Sequence, residues 1–351
     1  MKKCFLFVIL ALLVGCEKKT EPAADSFQKK VFKDEVRLKT TPVQSQGHSS
    51  FCWIYAMLGT IETEHLMQGD SVVLSADYVA RMLLTEQVRE RYLTKGKKNI
   101  SMRGMMPMTV HLLEQYGVEP LASYHAKSKV NYHVVGRKLE QIADVALARR
   151  QGLEHVDKQV NDLLDSTIDF LPKFVFMLGA EYTPLEFAHS VCQNNEYEAF
   201  TSFTHHPFNQ PFVLELADNQ MNDSFMNIPI DTLMSRIEGS LREGHPVCWE
   251  GDVSERGFSF KKGVGQLDSA QESSMKSAKN EAVQAFRQQQ FEQFKTTDDH
   301  CMVLVGIARD ENNERYYIAK NSWGKNNLYG GFMYLSENYV KLKTIAVMIR
   351  R

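Results

Sequence analysis

"QSQGHSSFCWIYA", residues 44–56, sets a cysteine at the entrance of an apolar run with helical spacing. After Cys52, the positions Trp53, Met57, Ile61 and His65, with Ile54, Leu58 and Leu66 beside them, recur every three to four residues. Ser49 and Ser50 precede the run as N-cap candidates, and Gly69-Asp70 ends it. Cys52 therefore falls in the first turn of a predicted helix, where peptide dipoles and unpaired N–H groups stabilise a thiolate. A buried cysteine is also an ordinary small hydrophobe, so this stretch alone leaves both roles open. A nucleophile needs three further things: a base or ion-pair partner, a group that orients that partner, and donors for the oxyanion.

The stretch "DDHCMVLVGIARDENNERYYIAKNSWG", residues 298–324, supplies two of these. His300 opens the run Cys301 to Ile307, apolar on both faces and so predicted to be a buried strand. Asp310 to Asn313 is a turn cluster, and Arg315 to Lys320 reads as the returning strand, ended by Asn321-Ser322-Trp323-Gly324. A turn centred near residues 311 and 312 sets His300 opposite residue 323, within two positions of Asn321. One hairpin thus brings an imidazole and a carboxamide to the same end of a rigid sheet.

The chain has 351 residues, 43% hydrophobic and 24% charged, with a net charge of -2. This suits one large domain or two fused lobes, and it lacks the basic surface that nucleic-acid binding requires. Four cysteines lie beyond the N-terminal region: Cys52, Cys192, Cys248 and Cys301. They are widely spaced, with no metal-like pattern, and if Cys52 is a free thiol the other three cannot all pair. Neither metal nor cofactor is expected. His205 and His206 are neighbours, and adjacent side chains rarely converge on one ion.

At the N-terminus, Lys2 and Lys3 precede an apolar run from Phe5 to Val14, which ends in Leu13-Val14-Gly15-Cys16. The run is short for a bilayer span and fits a signal-peptide core, and its end resembles the lipobox of bacterial lipoproteins. That resemblance implies a signal peptide over residues 1–15, lipidation at Cys16 and a flexible tether over 16–36. The expected product is exported and bound to a membrane through the lipid alone.

Taken together, Gln46-Gly47, Cys52-Trp53-Ile54-Tyr55-Ala56, His300 and Asn321-Ser322-Trp323-Gly324 resemble the papain-like cysteine peptidases. The match is closer to the bleomycin hydrolase, or aminopeptidase C, branch. Weaker matches begin in order at Leu74, Met106, Tyr182 and Leu241. The resemblance implies an α+β, two-lobed fold over residues 37–351: a helical lobe led by the Cys52 helix, and a β-barrel-like lobe carrying His300 and Asn321. Helical insertions are expected at about 136–172 and 270–296. It also implies Cys52 as nucleophile, His300 as its imidazolium partner, and Asn321 orienting His300 under the cover of Trp323. The Gln46 amide and the Cys52 N–H would form the oxyanion hole. Gly104 would lie where backbone meets a peptide substrate.

The sequence departs from the family pattern at several points. Ser49 stands where papain has a cysteine, Arg103 stands where a second glycine is usual, and His48 follows Gln46 in place of a small residue or lysine. Only 35 residues separate Cys16 from Cys52, too few for an inhibitory prodomain. Bleomycin hydrolases continue well past Asn-Ser-Trp-Gly into an arm that fills the cleft, whereas Arg351 comes 30 residues after Asn321. The expectation is therefore a cysteine peptidase acting on peptides or proteins, with endo- or oligopeptidase action preferred to aminopeptidase action. The alternatives are an aminopeptidase of the bleomycin hydrolase type, an inactive peptide-binding lipoprotein, and acyl transfer to an amine in place of water.

Overall fold

A computed structural model describes residues 29–177 and 179–351 of the chain. The signal peptide over residues 1–15 and the lipidation of Cys16 lie outside the described residues. Among the described residues, no helix is long and apolar enough to cross a membrane.

Among the described residues, five helices build the first lobe: α1 (Cys52–Gln68), α2 (Ala76–Leu93), α3 (Met106–Tyr116), α4 (Tyr132–Ala148) and α5 (Leu153–Thr167). The pair α4 and α5 fills the first stretch read as helical. Five more helices follow: α6 (Pro184–Val191), α7 (Ile230–Glu243), α8 (Ser269–Ser277), α9 (Asn280–Glu292) and α10 (Glu337–Lys343). Of these, α8 and α9 occupy the second predicted stretch.

The strands are β1 (Phe32–Arg37), β2 (Val175–Met177), β3 (Ala180–Tyr182), β4 (Tyr197–Thr201), β5 (Gln210–Val213) and β6 (Ser224–Asn227). They continue with β7 (Val247–Gly251), β8 (Phe258–Ser259), β9 (Val264–Gly265), β10 (His300–Asp310), β11 (Arg315–Lys320), β12 (Phe332–Ser336) and β13 (Thr344–Arg350). All but the β2-β3 hairpin join one sheet in the order β5-β6-β4-β13-β7-β10-β11-β12-β9-β8, with β1 beside β10. This is the mixed α+β, two-lobed architecture. The folded chain begins earlier than residue 37, however, because Phe32 to Arg37 pair with β10 where a tether was expected.

Helix α1 lies between the lobes, packed on α2 and α3 on one side and on β10 and β7 on the other. It is buried around its whole circumference from Trp53 to Glu64, except for half-buried Tyr55, so the apolar spacing is not the single stripe of a surface helix. Its threonines remain tolerable in the core because Thr60 and Thr63 donate to the carbonyls of Ala56 and Gly59, at 2.9 and 2.7 Å. Gly59 permits the close approach to the sheet: a Cβ there would stand 3.1 Å from Val303 Cγ2.

The helix ends as predicted, with Gly69 in the left-handed conformation at φ 91. Its start differs. Phe51 is the N-cap and gives no side-chain hydrogen bond, while the Ser49 hydroxyl donates to the Gln46 carbonyl at 2.7 Å.

Candidate active site

The long strand β10 divides its partners. Its first five residues, His300 to Leu304, pair with β7, and its second half pairs with β1 on the same side, while β11 runs along the other edge. The pair Val303 and Lys320, carried to the end of the strand, sets His300 opposite residue 323, the register read from the turn. Asn321 follows immediately on β11, and its Oδ1 meets His300 Nε2 at 2.8 Å.

The same oxygen accepts the backbone N–H of Ser322 at 2.7 Å. An N–H can only donate, so the oxygen of the carboxamide must face this site, and His300 Nε2 carries the proton it gives to Asn321. The Nδ1 edge of the ring is then left for Cys52. This orientation leaves Asn321 Nδ2 buried without a partner. Trp323 lies against the imidazole, with ring centroids 4.5 Å apart, and Phe258 and Phe260 meet its own edge. The His300–Asn321 pair is thereby closed to water, which strengthens the hydrogen bond.

Cys52 is the first residue of α1 and half-buried. Its backbone N–H, at the helix start, has no intrahelical acceptor. The Cys301 thiol and, after it, the His300 imidazole hydrogen-bond its sulfur, and they hold the Cys52 thiol well below its ordinary pKa against the opposing effect of burial. Gln46 is positioned from both ends: its Oε1 accepts from the Ser322 hydroxyl and its Nε2 donates to the Ser49 carbonyl, each at 2.7 Å. A carboxamide has two N–H donors, so one remains for the cavity in front of Cys52. That cavity, about 200 Å³, is lined by Gln46, Cys52, Gly104, His300 and Trp323 among others.

Gly104 has a packing reason of its own: a Cβ there would lie 2.9 Å from the Trp53 indole, whose Nε1 donates to the Met102 carbonyl. His48 lies apart, exposed on a larger surface cavity with Tyr55, Asp77 and Lys127. All four cysteines in the described residues are free.

A family model, the Peptidase C1-like family, matches residues 174–351, half of the chain. The chain belongs to the Peptidase C1-like family. It is similar to aminopeptidase C of Listeria innocua serovar 6a, 23% identical over 96% of this chain and 86% of that protein. It is also similar to aminopeptidase C of Lactococcus lactis subsp. lactis, 22% identical over 90% of this chain and 82% of the relative. Among solved structures, PepW from Lactobacillus rhamnosis HN001 superposes with a TM-score of 0.70 at 18% identity, covering 91% of this chain and 82% of that one. The protein is a cysteine peptidase of the papain-like class, in the bleomycin hydrolase and aminopeptidase C branch.

Some residues around this C1-like site were not singled out from sequence. Cys301 was read only as part of an apolar strand, yet its thiol reaches the Cys52 sulfur. Asp218, Glu250 and Asp298 line the same cavity. The signal for Glu250 was present, a carboxylate inside the apolar run Val247-Cys248-Trp249, whereas nothing in the local sequence marks Asp218.

The argument made for His205 and His206 needs correction. Adjacent in sequence, they nevertheless converge, both meeting Glu215, at 3.2 and 2.6 Å. Gln288 donates to His205 Nδ1, which puts the ring proton on Nε2, the nitrogen facing Glu215.

Proposed function

We propose that Cys52 is the nucleophile, His300 its proton partner and Asn321 the group that orients His300, and that together they hydrolyse peptide bonds. The reading rests chiefly on one observation: the depressed thiol at the start of α1 shares a cavity with an imidazole whose tautomer Asn321 fixes. The Cys52 thiolate attacks the peptide carbonyl, and the carbonyl electron pair moves to oxygen. The free Gln46 N–H and the Cys52 backbone N–H receive that charge, each such donor contributing about 3 kcal/mol in the transition state. His300 Nδ1–H then passes its proton to the leaving amine as the C–N bond breaks, leaving a thioester. Water, deprotonated by His300, hydrolyses the thioester and restores the thiolate. Gly104 and Trp323 border the path of the substrate, and Trp323 also covers the His300–Asn321 pair.

Aminopeptidase action is the better supported mode, since the relatives that match this chain along most of their length carry that name. Replacing Cys52 by Ala should abolish release of amino acids from peptides and remove labelling by a thiol-directed epoxide. Hydrolysis that persists in Cys52→Ala overturns the assignment.

A further inference from the structure

One wall of the cavity in front of Cys52 is acidic beyond anything the catalytic cycle uses. Asp218, Glu250 and Asp298 all line it, beside Gly104 and Arg103. Arg103 is the cation they face: its Nε lies 2.8 Å from both carboxylate oxygens of Asp218, and a terminal nitrogen lies 3.8 Å from Asp298 Oδ1. Asp299 lines the cavity as well, and its carboxylate accepts from the Thr297 hydroxyl at 2.7 Å and from the Val253 N–H at 3.4 Å. One guanidinium therefore stands against four acidic side chains, Asp218, Glu250, Asp298 and Asp299.

Glu250 makes the imbalance more than a surface cluster. It is 2% exposed, and the β7-β10 register sets it opposite Cys301, next to the Cys52 sulfur. Its Oε2 is buried with no hydrogen-bond partner. An orphaned buried carboxylate is costly, and a fold retains one where something else completes it. The leaving amine must depart beside His300, which protonates it, so the acyl part of the substrate extends the other way, along Arg103 and Gly104.

We infer that Asp218, Glu250 and Asp298 form a subsite for a cationic group on the acyl part of the substrate, an ammonium or a guanidinium. The inference rests on the peptidase reading above and deepens it. The cation sits between Glu250 Oε2 and Asp298 and supplies the charge that Arg103 leaves uncompensated. Two sources carry this chemistry: the free α-ammonium of a peptide, and a lysine or arginine side chain next to the cleaved residue.

Four fluorogenic coumarin amides distinguish the sources: Leu-, acetyl-Leu-, acetyl-Leu-Leu- and acetyl-Arg-Leu-. Substrates with a cation should exceed their neutral counterparts in kcat/KM by about tenfold or more, equivalent to ~1.4 kcal/mol. A gain for Leu- over acetyl-Leu- assigns the subsite to the α-ammonium, and a gain for acetyl-Arg-Leu- over acetyl-Leu-Leu- assigns it to the side chain. Glu250→Gln should narrow whichever ratio is found, and Asp298→Asn, at a less buried position, should do the same if Glu250→Gln does not fold.

Binding of Leu-amide and acetyl-Leu-amide, and of acetyl-Arg-Leu-amide and acetyl-Leu-Leu-amide, to Cys52→Ala by calorimetry separates the subsite from the chemistry. Turnover by the wild type with equal binding within both pairs overturns the subsite and keeps the peptidase. A cation preference in binding with no turnover by the wild type keeps the subsite and overturns the peptidase reading.

Discussion

Two glutamates flank the contact between the lobes, and they are buried in opposite ways. Glu62, on α1, is 1% exposed and fully engaged: Leu74 N–H donates to it at 2.8 Å, the Thr41 hydroxyl donates to it, and Lys320 Nζ lies 3.7 Å away. Lys320 donates to the same Thr41 hydroxyl at 2.6 Å, so four residues from four segments close one network. Glu250, on β7, is equally buried, but the charges around it (Asp298, Cys52 and Asp218) are all negative, and one of its oxygens has no partner. The first carboxylate is a structural brace that ties α1 to β11, one residue before Asn321, and so fixes Cys52 relative to the His300–Asn321 pair. The second faces the cavity, and its Oε2 has no partner in the protein. Burial alone does not distinguish structure from function; the partners do.

Breaking the brace gives the largest expected effect. Lys320→Met leaves Glu62 in the core with two donors and no cation, and the loss of one member of a buried pair costs roughly 3–5 kcal/mol. Denaturant unfolding measures it, and the double variant Lys320→Met with Glu62→Gln should recover much of the loss. A cost below about 1 kcal/mol in the single variant would show that the pair is no brace.

The opposite sign is expected at Glu250. Burial first, and then the negative charges of Asp298, Cys52 and Asp218, push its carboxyl well above the ordinary glutamate range. For an acid with a raised folded pKa, the unfolded chain ionises first. Stability is therefore undiminished below about pH 4.5, the ordinary value, and falls as pH rises toward the folded pKa. Glu250→Gln removes that penalty. It should match the wild type in thermal melts at pH 4 and exceed it by about 1 kcal/mol at pH 8. A variant less stable than the wild type at pH 8 would place Glu250 with Glu62, as a structural group.

The sequence made the Cys52, His300 and Asn321 half of this site legible and left the acidic half obscure. Cys52 at a helix start and the turn that registers His300 against residue 323 are local signals, set by period and turn chemistry. A hairpin fixes its own register, so Asn321 could be placed beside His300 without coordinates. The burial of α1 on every side was not legible, because periodicity reports where apolar residues fall and says nothing of a second layer closing over the polar ones. Glu62 and Lys320 look like exposed charges in sequence, and only tertiary pairing between α1 and β11 makes them core residues. Asp218, Glu250 and Asp298 come from three separate segments, so no local pattern could show that they share a cavity.

The smallest expected effect tests whether the acidic wall acts electrostatically. Burial, with the charge of Asp218 added, raises the Asp298 carboxyl to about 6, while Arg103 opposes the shift and Asp299 adds to it. Between pH 5 and 7 the wall therefore gains negative charge at Asp298, beside Asp218. Effects of pH on the hydrolytic step itself act on cationic and neutral substrates alike and cancel in the ratio of their kcat/KM values. That ratio should rise with pH through about 6, by roughly fivefold, the upper range for a partly exposed pair. Asp298→Asn should flatten the rise, and raised salt should reduce it by screening. A ratio that is already flat in the wild type would mean that any preference for a cation comes from the shape of the cavity and not from its charge.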